Sequence, residues 1–391
     1  MRNGVLILDQ QKCVMKKLIF FFLLYSSVLY AQDISGTYKH YEGLIGKKAE
    51  IIADLHIADT VVSGHYYYSN TGKEIRLSGS IHRNNLSLKE LDDTVITGFF
   101  KGTASADLAN IEGTWSDAVK SKNLPFRLTA FLPEGSVNIK SLTETLTYVW
   151  KTNSTGQSLG CSAKYTYCYL PEGSANPVTR AINEALLNIE LEGDETPLMM
   201  KGLAAESMED EFDSFTESYQ ETFPDSVAVD NKKYMDESPY TYNWQYQQVY
   251  DVIYNEHFLL TVKVSGYSYT GGAHGNTVYS YLVFDLKTGE VLSLESLFNK
   301  ASKKELAAIA EKQLRINRNI DDNSSLEENG MFIRKLDLKD EFYIDHGGIG
   351  FTYNSYEIAP YAEGPINVYL RWEQIKSLIN ADGPIAWAIY Q

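Results

Sequence analysis

The sequence predicts an α+β protein: an N-terminal all-β barrel or sandwich, then a two-part α+β region built on antiparallel sheets. Two observations carry this. Between residues 34 and 132 short alternating segments recur between turn residues at roughly 8–12-residue spacing, and no helical stripe interrupts them. From about residue 140 onward, amphipathic helices mix with hairpins but without the βαβ rhythm of a doubly wound sheet.

The chain has 391 residues and a formal net charge of −16, with 28 Tyr, 16 Phe and 5 Trp. Its acidity argues against a nucleic-acid binder, which needs a basic face to displace counterions. Lys16-Lys17, a 13-residue apolar run and Ala31 before Gln32 have the form of a secretory signal peptide. The run is shorter than the roughly 20 residues of a bilayer-spanning helix. Residues 1–31 are therefore expected to be a leader, with 1–14 a possible start-site artefact ahead of Met15. The expected location is periplasmic or extracellular, with no membrane span after cleavage. Removing that leader takes away Arg2, Lys12, Lys16 and Lys17 and one acid, Asp9, so the charge becomes −19.

In the β region, VVSGHYYYSNTGKEIRLSGSI reads as two strands around Asn70-Thr71-Gly72, followed by LSLKEL, VITGFFKGTA, IEGTWSD and LPFRLTAF. About eight strands are expected, their aromatics filling the interior. Residues 133–144, with Pro133 and Gly135, read as a linker. An α/β module over 140–239 follows, and a last domain over 240–391.

Asn176-Pro177 opens a helix with Ile182, Leu186 and Ile189 on one face. A second helix, from about Met200 to Phe223, pairs an apolar stripe through Phe215 and Tyr219 with an acidic, solvated face. Hairpins turn near Asn255-Glu256 and at Lys287-Thr288-Gly289. Ser302 and Glu305 have capping-box spacing ahead of a third helix. A short helix is expected around Trp372 to Ile379. Once Cys13 leaves with the leader, Cys161 and Cys168 remain; an even count in an oxidising compartment predicts a disulfide.

No catalytic constellation is legible. Gly156-Gln157-Ser158-Leu159-Gly160 matches G-x-S-x-G, but the stretch after Ser158 is unlike the helix a nucleophile elbow requires. The seven His are scattered without metal-ligand spacing, and Asp321–Ser325 lacks the Gly and Glu of a calcium loop. No metal, no cofactor and no enzymatic activity are expected.

The most specific segment is YSYTGGAHGN, residues 267–276. Three Gly in five positions permit a turn closed to other residues and expose N–H groups, with His274 inside it. The second is FYIDHGGIGFTYNSYEIAPYAEGPINVYLRWEQI, where tyrosines flank Pro360. Tyrosine offers contact area at low entropy cost with a polar tip.

In order and wording these two motifs resemble the C-terminal domain of RsiV-like proteins. That domain also serves as an accessory module of exported cell-wall polysaccharide deacetylases. The resemblance covers residues 240–380, with 140–239 similar to the module that precedes it, and leaves out 34–132. It implies an exported, non-catalytic binding protein of the cell envelope, recognising a cationic protein of the lysozyme type or, alternatively, a cell-wall glycan. The residues expected to make contact are Tyr267, Tyr269, Gly271, Gly272, His274, Tyr356, Glu357, Tyr361 and Glu363.

Overall fold

The computed structural model describes residues 34–69, 74–92, 95–171, 176–189, 205–224, 232–300 and 302–390. The expected leader, the Asn70-Thr71-Gly72 turn and most of the acidic face of the second helix lie outside the described residues or side chains.

Eight strands form an up-and-down meander: β1 (Ile34–Ile45), β2 (Ala49–Ala58), β3 (Val61–Tyr68), β4 (Ile75–His82), β5 (Asn85–Asp92), β6 (Val95–Ala104), β7 (Asn110–Asp117) and β8 (Asn123–Ala130). Residues Tyr41–Ile45 of β1 pair with β8, so the sheet closes into a barrel. Closure leaves no unpaired edge to recruit other chains. Alternation decides what goes inside. On β2 the odd residues Ile51, Ala53, Leu55 and Ile57 are buried with Tyr41, Tyr66, Phe100 and Phe126 in one core. The interior is thus filled by side chains. Glu90 shares it, its carboxylate accepting from Tyr66 Oη (2.7 Å), Trp115 Nε1 (2.8 Å) and Thr97 Oγ1 (2.7 Å).

The other end of β1 leaves the barrel. Ile34–Thr37 pairs with β9 (Lys140–Thr152), which continues into β10 (Ser158–Tyr169), β11 (Asn243–Glu256), β12 (Leu259–Tyr269) and β13 (Asn276–Asp285). The expectation of antiparallel sheets needs one correction. β10 and β11 run parallel, Gly160–Thr166 against Asn243–Val249. A parallel pair requires a long crossover. It contains α1 (Pro177–Leu187), α2 (Ala205–Thr222) and α3 (Lys232–Glu237). Asn176 Oδ1 caps α1 by accepting from Val178 N (2.9 Å), and Ile182 and Leu186 are buried. Phe215 and Tyr219 of α2 pack with Trp244 and Tyr246 of β11. The linker is docked: His257 N donates to Glu134 O and Phe258 N to Gly135 O.

The last part is a three-stranded sheet, β14 (Tyr343–Ile344), β15 (Gly348–Tyr353) and β16 (Ile366–Arg371), packed against α5 (Lys303–Arg318). Flanking it are α4 (Leu294–Leu297) and α6 (Trp372–Ile375). Ser302 precedes α5, but the expected capping box does not form: Ser302 is itself helical (φ −85°, ψ −14°) and makes no side-chain cap.

The disulfide is also corrected. Cys161 and Cys168 are free and buried. Both lie on β10, whose ladder with β9 runs unbroken from Cys161↔Tyr148 to Cys168↔Ser141. Seven residues of strand span about 23 Å and end on opposite faces. A bridge needs Cα atoms within about 7 Å. Burial pushes both thiols up to about 12, which keeps them unreactive.

Candidate functional site

Asn354 is the reason the two sequence motifs meet. It follows β15, and its side chain reads the outer edge of β13 as a strand would: Tyr279 N donates to Oδ1 (2.8 Å) and Nδ2 donates to Tyr279 O (3.0 Å). Two residues further along that edge, Glu341 Oε1 accepts from Tyr281 N (3.1 Å). The edge is therefore capped by side chains, and residues 354–364 are set beside the turn between β12 and β13.

That turn spans Thr270–Gly275. Gly271 and Gly272 have φ +89° and +92°. Tyr269 Oη donates to Gly272 O (3.1 Å) and closes the turn on itself. Tyr361 Oη donates to Gly275 O (2.6 Å). Its ring stacks on His274 with centroids 3.9 Å apart and planes 15° apart. Tyr356 adds a third ring, 5.6 Å from Tyr361 and 58% exposed, on a residue with φ +71°. Tyr267 lies against the turn: a Cβ on Gly275 would stand 2.5 Å from the end of its ring and its hydroxyl, so the ring would have to shift. Burial, then the neighbouring Tyr240 and Tyr267, push the Tyr269 phenol up. Tyr240 is itself exposed.

His274 Nδ1 is 3.1 Å from Gly275 O. A carbonyl only accepts, so the proton belongs on Nδ1 and the neutral ring keeps Nε2 as an acceptor. The two predicted carboxylates play a different part from the rings. Glu357 pairs with Lys339 Nζ (3.0 Å) and Glu363 with Arg318 near the end of α5. They fasten the segment to the body of the protein. The structure thus gathers His274, Tyr361 and Tyr356 into one platform, with Tyr269, Gly271 and Gly272 shaping its turn and Tyr267 supporting it. Asn354, Glu341 and Tyr240 have no distinguishing mark in the sequence.

Ser158 opens β10 and is exposed; strand, not helix, follows it. The G-x-S-x-G match straddles the end of a hairpin turn over Asn153–Gln157, where Asn153 Oδ1 accepts from Gln157 N (2.8 Å), and the first residues of β10. No His is hydrogen-bonded to Ser158 among the described residues.

A second cluster is buried where the barrel meets the rest. The outward residues of β1–β3 include Tyr38, His40, Asp54, His65 and Tyr67, opposite in parity to the core residues. Asp54, 2% exposed, contacts His40 Nδ1 (2.8 Å), His65 Nε2 (3.4 Å) and Tyr38 Oη. His346 lies 4.3 Å from Tyr67, ring to ring, and binds Glu256 Oε1 through Nδ1 (2.6 Å). Asp345 accepts from Tyr369 Oη (2.5 Å) and from the N–H groups of Gly347 and Gly348. Burial opposes ionisation throughout. It would lower His65, yet Glu74 and Asp54 outweigh it and hold the imidazole up at about 9. It would raise Asp54, yet hydrogen bonds from His40 and His65 hold that carboxyl well below its usual range. For Asp345 burial wins, and the carboxyl is pushed up to about 6. Histidines scattered in the sequence therefore converge in space. Among the described residues no group of three His, Cys, Asp or Glu is arranged to hold a metal.

Residues 295–373 match the family described as "Protein of unknown function (DUF3298)". Residues 161–277 match "Deacetylase PdaC". No curated protein matches the chain. A crystal structure of a DUF3298 family member from Bacteroides fragilis is similar at TM-score 0.51 and 20% identity, covering 63% of this chain and 96% of that one. A DUF3298 family protein from Pseudomonas aeruginosa gives 0.43 and 16%, over 62% and 94%. The latter part of the chain thus carries regions similar to DUF3298 and PdaC, in line with an accessory module of deacetylases.

Proposed function

We propose that this chain is an exported, non-catalytic binding protein of the cell envelope, and that it engages a cell-wall glycan through the rings of His274, Tyr361 and Tyr356. The observation that carries the reading is the stacked, exposed platform, locked by the Tyr361–Gly275 hydrogen bond before any ligand arrives. Sugars present C–H faces to aromatic planes and hydroxyls to polar tips, and this surface offers both. A preformed platform avoids the entropy of ordering side chains on binding. The similarity to DUF3298 and to PdaC fits an accessory role beside wall-modifying chemistry.

The charge of −16 favours the second reading, a basic protein of the lysozyme type, because opposite fields speed encounter. At the platform itself Glu357 and Glu363 already have cationic partners. That leaves the rings as the recognition element and ranks the glycan first.

Titration calorimetry with soluble peptidoglycan fragments is the test. Saturable heat is expected, with Tyr361→Ala and Tyr356→Ala each weakening binding about ten-fold. Heat only with lysozyme, abolished by salt, replaces the glycan with the basic protein. Silence with both ends the proposal.

A further inference from the structure

Beside the platform, one face of the sheet β9–β13 is open. Register puts Gln245 of β11 opposite Tyr269 of β12, and Gln247 opposite Tyr267, which in turn faces Thr277 of β13. Partners in a ladder point to the same side, so these side chains form one surface. Gln245 and Gln247 are exposed, and Tyr267, Tyr269 and Thr277 half-buried. Nearer the barrel the same face is closed, with Thr143 and Thr166 buried. The open part runs up to the platform: Tyr267 sets its ring and hydroxyl against Gly275, whose carbonyl accepts from Tyr361 Oη (2.6 Å). On its other side, a Cβ on Gly271 would stand 3.1 Å from Thr241 O. The 3₁₀ turn Pro239–Tyr242 therefore lies against the start of the β12–β13 turn, and Tyr240, 61% exposed, lies next to Tyr269. Residues 238–250 and 264–284 contain no Asp, Glu, Lys or Arg, on a chain where these make up 22%. No backbone N–H of residues 271–275 donates to another described residue.

We infer that this face is a second subsite, a track on which a glycan strand continues from the platform across β13, β12 and β11 to Tyr240. The inference rests on the proposed function, whose platform it extends. Length and chemistry select the occupant. From β13 to β11 is two strand spacings, about 10 Å, added to the reach of the platform's own rings. A single sugar ring on the platform leaves the track empty; a longer strand fills both. Amide side chains donate and accept together, as sugar hydroxyls do, and the phenols add ring faces with polar tips. The N–H groups of the glycine turn are left for a ligand oxygen. A basic protein would find no carboxylate among these residues, and Lys164 of β10, exposed and in register with Gln247, would repel it.

Calorimetry of the full chain with disaccharide and octasaccharide fragments of peptidoglycan tests it. The parent should bind the octasaccharide more tightly than the disaccharide. Tyr240→Ala, and separately Gln245→Ala with Gln247→Ala, should each weaken the octasaccharide about ten-fold and leave the disaccharide unchanged. Tyr361→Ala should weaken both. Octasaccharide binding unaltered in either track variant, while Tyr361→Ala still weakens it, would overturn the inference and leave the proposed function standing. An equal loss for both lengths in the track variants would also overturn it, because the face would then belong to the first site. No binding of either fragment by the parent would end the inference and the proposed function together.

Discussion

At the scale of single residues, the turn between β12 and β13 separates two roles of glycine. Gly272 has φ +92° and nothing within 4 Å of a Cβ, so Gly272→Ala meets only the backbone penalty, about 1 kcal/mol. Gly275→Ala would collide with Tyr267 and should cost more, since the ring that supports the platform must move. Denaturant titration of the two variants should show that order. Both glycines were legible in the sequence as a turn. What each excludes was not, because it depends on a ring eight residues upstream and on another reached across 86 residues of chain. The predicted carboxylates illustrate the same limit: Glu357 and Glu363 stand out beside tyrosines, yet their cations come from positions 339 and 318.

Among the elements, periodicity predicted what local chemistry controls. The α1 cap, the barrel strands and the buried stripe of α1 all appear where alternation or helical spacing put them. Cysteine counting failed because parity and strand length overrule it. Both thiols should react with a maleimide in denaturant without prior reduction, and reductant should leave the folded protein's melting temperature unchanged; mass spectrometry of labelled peptides checks this. Asn354 is a further element-scale determinant. Asn354→Ala leaves Tyr279 N and O on β13 without their partner. It should destabilise by about 2 kcal/mol and speed amide exchange over residues 354–364.

For the whole molecule, the buried junction makes stability a function of pH. His65 is raised to about 9 in the folded state, so its contribution is complete below its ordinary 6.5 and is lost as pH rises from there through 9. Integrated, that loss reaches about 3 kcal/mol. Asp345, raised to about 6, prefers its neutral form when folded, so stability also falls as pH rises from its ordinary 3.8 toward 6. Asp54 has the opposite sign: held low, it contributes above its ordinary value, and that contribution is lost as the solution becomes more acid. The melting temperature should peak in mildly acid solution and decline above neutrality, and His65→Gln should flatten the alkaline decline. None of this was visible in the sequence, where the residues of the cluster are separated by most of the chain length. The polar outward faces of β1–β3 were present in the alternation; nothing there said what would cover them.

β1 belongs to two structures at once, closing the barrel with one end and bordering the five-stranded sheet with the other. A fragment cut between residues 130 and 140 would therefore bare the edge of β9 along Lys140–Thr143 and leave Ile34–Thr37 of β1 without its partner on that side, so each half cut alone gains an open strand edge that the joined chain conceals.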